Sequence, residues 1–241
     1  MTNDDWQLIR EFESANEALP LRRFMDISKF QHLMNTGTLY LAPSSAFEDK
    51  LEGHYTSRDY EAWDRQLADW GFDARGREIA SSAKASIARH NQGAVVISCW
   101  TTACGSNARL WKEYAGSPKA IVVQTTVGRL RNALGDGFLI VPVRYVDFTE
   151  HRIPKDHSLQ SFCYKQQETY EWEQEVRVIG TMELGKRIGS PREAPVILNT
   201  LIEKVGLHSD APPSFVDAVL EVLRLRAPMA EYETLNITEI A

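Results

Sequence analysis

Three β-branched, apolar runs in the middle of the chain constrain its fold more than any other feature: AVVISCW at 94–100, KAIVVQTT at 119–126 and FLIVPVRYV at 138–146. Short runs of this kind, separated by polar or Gly/Pro-bearing stretches, predict strands buried in a sheet. None approaches the ~20 consecutive apolar residues of a membrane-spanning helix. Helical patterns surround the runs irregularly instead of alternating with them. The expectation is an α+β fold: one domain over 1–241, with a central mixed β-sheet flanked by helices.

Local patterns fill in the remainder. Trp6, Ile9 and Phe12 recur at helical spacing and predict an amphipathic helix before Pro20. A strand from Leu21 to Met25 follows. Ser28-x-x-Gln31 has the form of a capping box, and Gly37 is placed to end that helix in the left-handed region. Thr38 to Ala42 reads as a strand and Pro43-Ser44-Ser45 as the turn leaving it. Tyr60, Trp63, Leu67 and Trp70 share a helical face, Gly71 interrupts it, and Ile79, Ala83 and Ile87 continue it, giving a helical insert at 55–92. A short helix from Asn107 carries Leu110, Trp111 and Tyr114. A helical stretch from Ser161 runs into the strand EVRVIG (175–180), and Ser214 is placed to cap a helix carrying Phe215, Val219 and Leu223. The stretches near 185–195 and 206–213 read as loops.

Charge and cysteine usage narrow the partners. Lys plus Arg number 27 against 33 Asp plus Glu, a net charge of −6, which argues against the broad basic surface of a non-specific DNA binder while leaving room for a local basic pocket. The acidic N-terminus has no basic n-region followed by an apolar stretch, so no signal peptide is expected and the chain is assigned to the cytoplasm. Cys99, Cys104 and Cys163 are odd in number and irregular in spacing, as reduced thiols are. His151, His157 and Cys163 match no common zinc spacing, and no metal is expected. Dinucleotide-binding glycine fingerprints, P-loops, zincin motifs and nucleophile elbows are all absent.

Three polar clusters carry the remaining chemistry. In Arg22-Arg23, neighbouring strand side chains point to opposite faces, so one guanidinium faces inward and needs an anion. That anion is either Asp49 or Glu52, or the phosphate or carboxylate of a ligand. Trp111 and Tyr114, three apart on a helix, form either a core contact or a wall on which a base or nicotinamide ring stacks. Lys165 and Arg177, expected to bind a ligand, flank Glu173 and Glu175, the expected catalytic carboxylates. Two carboxylates two residues apart repel, so one is raised in pKa unless a cation sits between them. They serve as general base or as stabiliser of a cationic transition state, or else form a charged helix end with Glu173 paired to Arg177.

On these clusters the chain resembles the DUF 2971 family, a bacterial and phage domain of unknown function. The matching stretches are LRRFMDISKFQHLMNTGTLYLAPSSAFEDKLEG, VISCWTTACGSNARLWKEYAGSPKAIVVQTTVGRLR, VPVRYVDF, FCYKQQETYEWEQEVRVI and LIEKVGLHSDAPPSFVDAVLEVL, covering most of 21–223. The order of an early-strand Arg, a mid-strand Ser or Thr, and a late Glu-x-Glu is also similar to that of mono-ADP-ribosyltransferases. That resemblance implies NAD as a ligand, with phosphate held by Arg22 or Arg23, a hydroxyl from Thr125 or Ser98, nicotinamide stacked on Trp111 or Tyr114, and Glu175 beside the ribosyl cation. A nucleic acid or a protein would be the acceptor, and the ligand a small molecule or nucleotide. The opposing expectation is a non-catalytic binding or interaction module, in a phage-defence or toxin–antitoxin setting, whose Arg, Lys, Trp and Glu network only holds the core. The chain alone leaves its oligomeric state open.

Overall fold

In the computed structural model, which describes residues 16–153 and 159–237, the chain is α+β with a mixed sheet at its centre. The N-terminal helix expected around Trp6 lies outside the described residues. Strand β1 (Pro20–Asp26) leads directly into α1 (Ile27–Thr36) and β2 (Thr38–Pro43). The cap of α1 is Asp26, whose carboxylate accepts from the Lys29 N–H, and not the Ser28 box: the strand ends one residue before the helix begins, so the side chain at the junction caps it. Gly37 ends α1 at φ 64, as its spacing predicts.

The insert is two helices, α2 (Ser57–Asp69) and α3 (Ala74–Ala94), with the break at Gly71. Ile79 and Ile87 point outward, each 62% exposed, so the apolar face expected to continue along α3 does not pack against the core. Strand β3 (Val95–Thr101) follows. Helix α4 begins at Ala108–Leu110 under an Asn107 cap and continues as a π-helical turn over Trp111–Ala115. Then come β4 (Ala120–Thr126) and α5 (Val127–Leu134).

The run at 138–146 is not one strand. β5 (Leu139–Pro142) pairs with the central sheet, whereas β6 (Arg144–Val146) pairs in parallel with β7 (Tyr164–Gln166) in a separate two-stranded sheet. Pro142 marks the break, since it has no N–H to extend a ladder. The stretch after Ser161 is likewise fragmented: a 3-10 turn, β7, a four-residue α6 (Gln167–Tyr170) and a second 3-10 turn lead to β8 (Glu175–Thr181). Beyond it lie β9 (Arg192–Pro195), α7 (Leu198–Leu201), β10 (Lys204–His208), α8 (Pro213–Arg226) and β11 (Glu231–Leu235). β9 and the last three residues of β10 fall in stretches expected to be loops. The cap of α8 is Pro212, with Pro213 in the first turn, and Ser214 sits inside the helix.

The sheet runs β11-β10-β4-β1-β3-β2-β9, with β8 on the other edge of β3 and β5 beyond it. Its decisive feature is a fork. β8 pairs with β3 along its whole length, from Val95↔Thr181 to Thr101↔Glu175. On the opposite edge β1 meets β3 only at Arg22↔Thr101, and β2 meets it only at Ala42↔Ile97 and Pro43↔Val96. Between those contacts β1 and β2 diverge from β3, and α1 bridges them. The main core, including Leu21, Met25, Phe30, Trp100, Val123 and Leu223, fills one side of the sheet. A smaller cluster around Ile97, Val141, Phe162 and Ile179 fills the other.

Candidate functional site

The fork opens into a cavity of about 660 Å³, within the range of small-ligand sites. Its walls come from β1, α1 and β2 on one side and from β3, Tyr114 and the start of β8 on the other. Most of the lining is apolar, including Phe24, Leu33, Leu39, Phe47 and Ile97; its charged side chains are Arg22 and Arg23, Lys165 with Glu173 and Glu175, and Lys29 and Glu193.

Strand β1 supplies the two arginines. As the alternation of a strand requires, they part to opposite faces. Arg22 donates to the Ala103 carbonyl at 3.1 Å and ties down the loop that follows β3. Arg23 turns the other way, donating to Ser98 Oγ at 2.8 Å and to the Tyr40 carbonyl at 3.3 Å. Among the described residues no carboxylate pairs with either: Glu52 binds elsewhere, and Asp49 accepts from the Leu51 N–H at 2.9 Å. Burial lowers the pKa of the Arg23 guanidinium. A half-buried cation with unused N–H groups facing a cavity is a ready partner for an anionic ligand.

The start of β8 and the turn before it supply Glu175 and Glu173. Lys165 Nζ lies 2.6 Å from Glu173 and 3.2 Å from Glu175, with the Tyr170 ring 4.3 Å away on another side. The cation that two neighbouring carboxylates require is therefore present. Burial would raise the Glu175 carboxyl, but Arg177 and Lys165 outweigh it and hold it down at about 2. Arg177, fully buried, pairs with Glu175 at 2.9 Å and grips Glu52 in bidentate fashion at 2.6 and 2.8 Å, so the expected Glu173–Arg177 pair does not form. A third acceptor for Arg177 is the Phe162 carbonyl at 2.6 Å. Glu52 reaches this depth because Gly53, at φ 70, lets its loop press on Phe162, where a Cβ would come within 2.2 Å of the ring. Burial raises the Glu52 carboxyl, opposed by the guanidinium. With every group ionised, three carboxylates face two cations, leaving one net negative charge.

Tyr114 stands against Glu173. Its hydroxyl donates to Glu173 at 2.5 Å and its ring stacks on Trp172 with centroids 6.2 Å apart. Trp111, three residues earlier, goes into the core: it meets Phe24 and His208 edge-on and donates from Nε1 to the Gly105 carbonyl. It has no vacant face for a ligand ring. The π-helical turn changes the angular spacing of the two aromatics, so the shared face expected of an α-helix is not kept.

Thus Arg22, Arg23, Tyr114, Lys165, Glu173 and Glu175 line one cavity, while Arg177 lies behind it and Trp111 away from it. Of the two candidate hydroxyls, Ser98 bonds Arg23; Thr125 is buried on β4 opposite Leu21 of β1 and does not line the cavity. Glu52 as the partner of Arg177, Cys99 beside Glu175, and Tyr145, whose hydroxyl accepts from the Glu175 N–H at 2.8 Å, had no local signal in sequence. Burial pushes the Cys99 thiol well up, so it stays neutral. All three cysteines are free. Of the residues considered for zinc, His157 lies outside the described residues, and among the described residues no three His, Cys, Asp or Glu side chains gather as a metal site. No helix among them is long and apolar enough to cross a membrane.

No family model matches this chain, and no curated protein matches it. Among solved structures, DarT from Thermus sp. 2.9 is similar in three complexes. The complex with ADP-ribosylated single-stranded DNA shares 15% identity over 92% of this chain and 95% of that one, with a TM-score of 0.42. The complex with NAD+ shares 12% identity over 89% and 95%, with a TM-score of 0.42. The complex with carba-NAD+ shares 10% identity over 90% and 95%, with a TM-score of 0.41.

Proposed function

We propose that the forked cleft binds a nucleotide and that its chemistry is ADP-ribosyl transfer from NAD. The observation that carries the reading is the pair of charged groups lining one cavity: Arg23, without a carboxylate partner among the described residues, and the Glu173–Lys165–Glu175 set, with Cys99 near both Arg23 and Glu175. A substrate that is anionic along its middle and becomes cationic at one reacting carbon matches that layout. In NAD the pyrophosphate would pair with Arg23, and the planar rings would lie along the apolar walls. When the glycosidic bond from C1′ to nicotinamide breaks, the bonding pair leaves with neutral nicotinamide and C1′ becomes an oxocarbenium ion. The net negative charge of the carboxylate set stabilises that cation in a site of low dielectric. The acceptor then attacks C1′ and gives its proton to a carboxylate or to water. Tyr114 stands at the place where a ribose hydroxyl would take over its bond to Glu173.

A second reading, binding without turnover, is favoured by one specific observation. Glu175 already has both oxygens engaged by Arg177 and Lys165, in a network that is satisfied without a ligand. The two readings part in one experiment. Melting curves are recorded with NAD, ADP-ribose and AMP, and nicotinamide release from NAD is followed for the parent protein, Arg23→Gln and Glu175→Gln. Ligand at a hundred times its Kd adds about 2.7 kcal/mol of stability. Stabilisation by NAD and ADP-ribose that weakens at least tenfold in Arg23→Gln, with nicotinamide release lost in Glu175→Gln, is the expected result. Stabilisation without release leaves the binding reading, and no stabilisation by any nucleotide overturns both.

A further inference from the structure

Gln174 is the one residue other than glycine with positive φ among the described residues, at φ 46 and ψ 49. It stands between the two cleft carboxylates, ending the 3-10 turn that carries Glu173 and starting the strand that carries Glu175. That position favours Gly or Asn, because a larger L side chain crowds its own backbone there. A non-glycine residue held in this region persists only where its surroundings over-determine it, and here they do. Thr101 Oγ donates to the Glu173 carbonyl at 2.6 Å, and the Thr102 N–H donates to the Gln174 carbonyl at 3.0 Å. The Gln174 N–H in turn bonds the Glu171 carbonyl at 3.2 Å. The end of β3 therefore grips the kink from outside, and both carboxylates emerge from it onto one ammonium, at 2.6 and 3.2 Å.

We propose that Gln174 is a positioning residue: its left-handed backbone, clamped by Thr101 and Thr102, makes Glu173 and Glu175 converge on Lys165 and so builds the carboxylate set of the cleft. A residue that cannot hold the left-handed region swings Glu173 away from Lys165. A residue at ease there, Gly or Asn, leaves the pair intact. The consequence for the reaction, though not the geometry itself, rests on the nucleotide reading given above.

Lys165 reports the geometry directly, because only the free amine is acylated and both carboxylates disfavour that form. Competitive labelling with acetic anhydride at alkaline pH, read by mass spectrometry against the exposed lysines, is expected to modify Lys165 at least fivefold faster in Gln174→Val than in the parent protein. In Gln174→Gly and Gln174→Asn the rate is expected to stay within twofold of the parent. A parental rate in Gln174→Val, or equal acceleration in all three variants, overturns the proposal. If Gln174→Val does not fold, Thr101→Val loosens the same clamp and must accelerate Lys165 labelling, and a parental rate there overturns it too. In the same proteins, nicotinamide release falls at least tenfold in Gln174→Val and returns in Gln174→Asn. If no nucleotide binds the parent protein, the functional reading fails and the labelling still decides the role of Gln174.

Discussion

Replacing Arg177 with Met tests what the deep end of the network contributes. Arg177 is completely buried, and its guanidinium is bonded to Glu52, Glu175 and the Phe162 carbonyl. Methionine fills much of the volume but supplies no charge. Glu175 keeps Lys165 as a partner, whereas Glu52 loses its only ion-pair partner among the described residues. Breaking a buried pair from one side costs about 3–5 kcal/mol, because the remaining charge stays desolvated. Glu52 escapes part of that cost by taking up a proton, which sets the pH dependence. Its folded pKa then rises well above the roughly 4.3 of an unfolded glutamate. Over that interval the native variant binds a proton that the unfolded chain does not, so stability falls as pH rises, by about 1.4 kcal/mol per unit. Burial already raises this carboxyl in the parent, so only the further rise counts, and urea unfolding at pH 5 and pH 7 reads it as a loss larger at pH 7 by at most about 3 kcal/mol. Adding Glu52→Gln to the variant removes the stranded charge and is expected to restore more than half the loss and to abolish its pH dependence. A loss below about 1 kcal/mol, equal at both pH values and untouched by Glu52→Gln, would refute the buried ion pair as the anchor of this site.

Two further outcomes follow from the geometry. Glu175, held at about 2 in the folded protein against roughly 4.3 unfolded, contributes stability that is fully present above the unfolded value and is lost as pH falls through the folded one. That contribution is on the order of 3 kcal/mol, so melting curves from pH 2 to 6 are expected to show a steep acid limb that Glu175→Gln flattens; an unchanged limb refutes the assignment. Lys84 Nζ stands 4.4, 5.4 and 5.1 Å from the ring centres of Tyr55, Tyr60 and Trp63, tying α3 to α2 where Ile79 and Ile87 do not. Lys84→Met is expected to cost about 1–2 kcal/mol and to speed amide exchange along α3, and exchange at the parental rate counts against it.

The strands at 94–101 and 119–126, the Gly37 stop and the Gly71 break were legible in sequence because each depends on a local rule, β-branched runs or a backbone region that glycine tolerates. The same locality explains the misreadings. Pro142 divides a nine-residue apolar run between two sheets, and β9 and β10 are strands because neighbours pair with them, with little help from their own composition. At the site, alternation alone separated Arg22 from Arg23, and repulsion alone required a cation near Glu173 and Glu175. Which cation, and which distant carboxylate, depended on chain crossings that no spacing encodes. Lys165 arrives on a two-stranded ribbon outside the main sheet, and Glu52 arrives on a loop more than a hundred residues from Arg177. The residue types and their local backbone preferences were thus determined by the sequence itself. The fork of β1 and β2 along one edge of β3 was decided only by tertiary structure, because strand pairing is settled by which edges the packed core leaves free. That fork turns six scattered polar residues into the lining of one cleft.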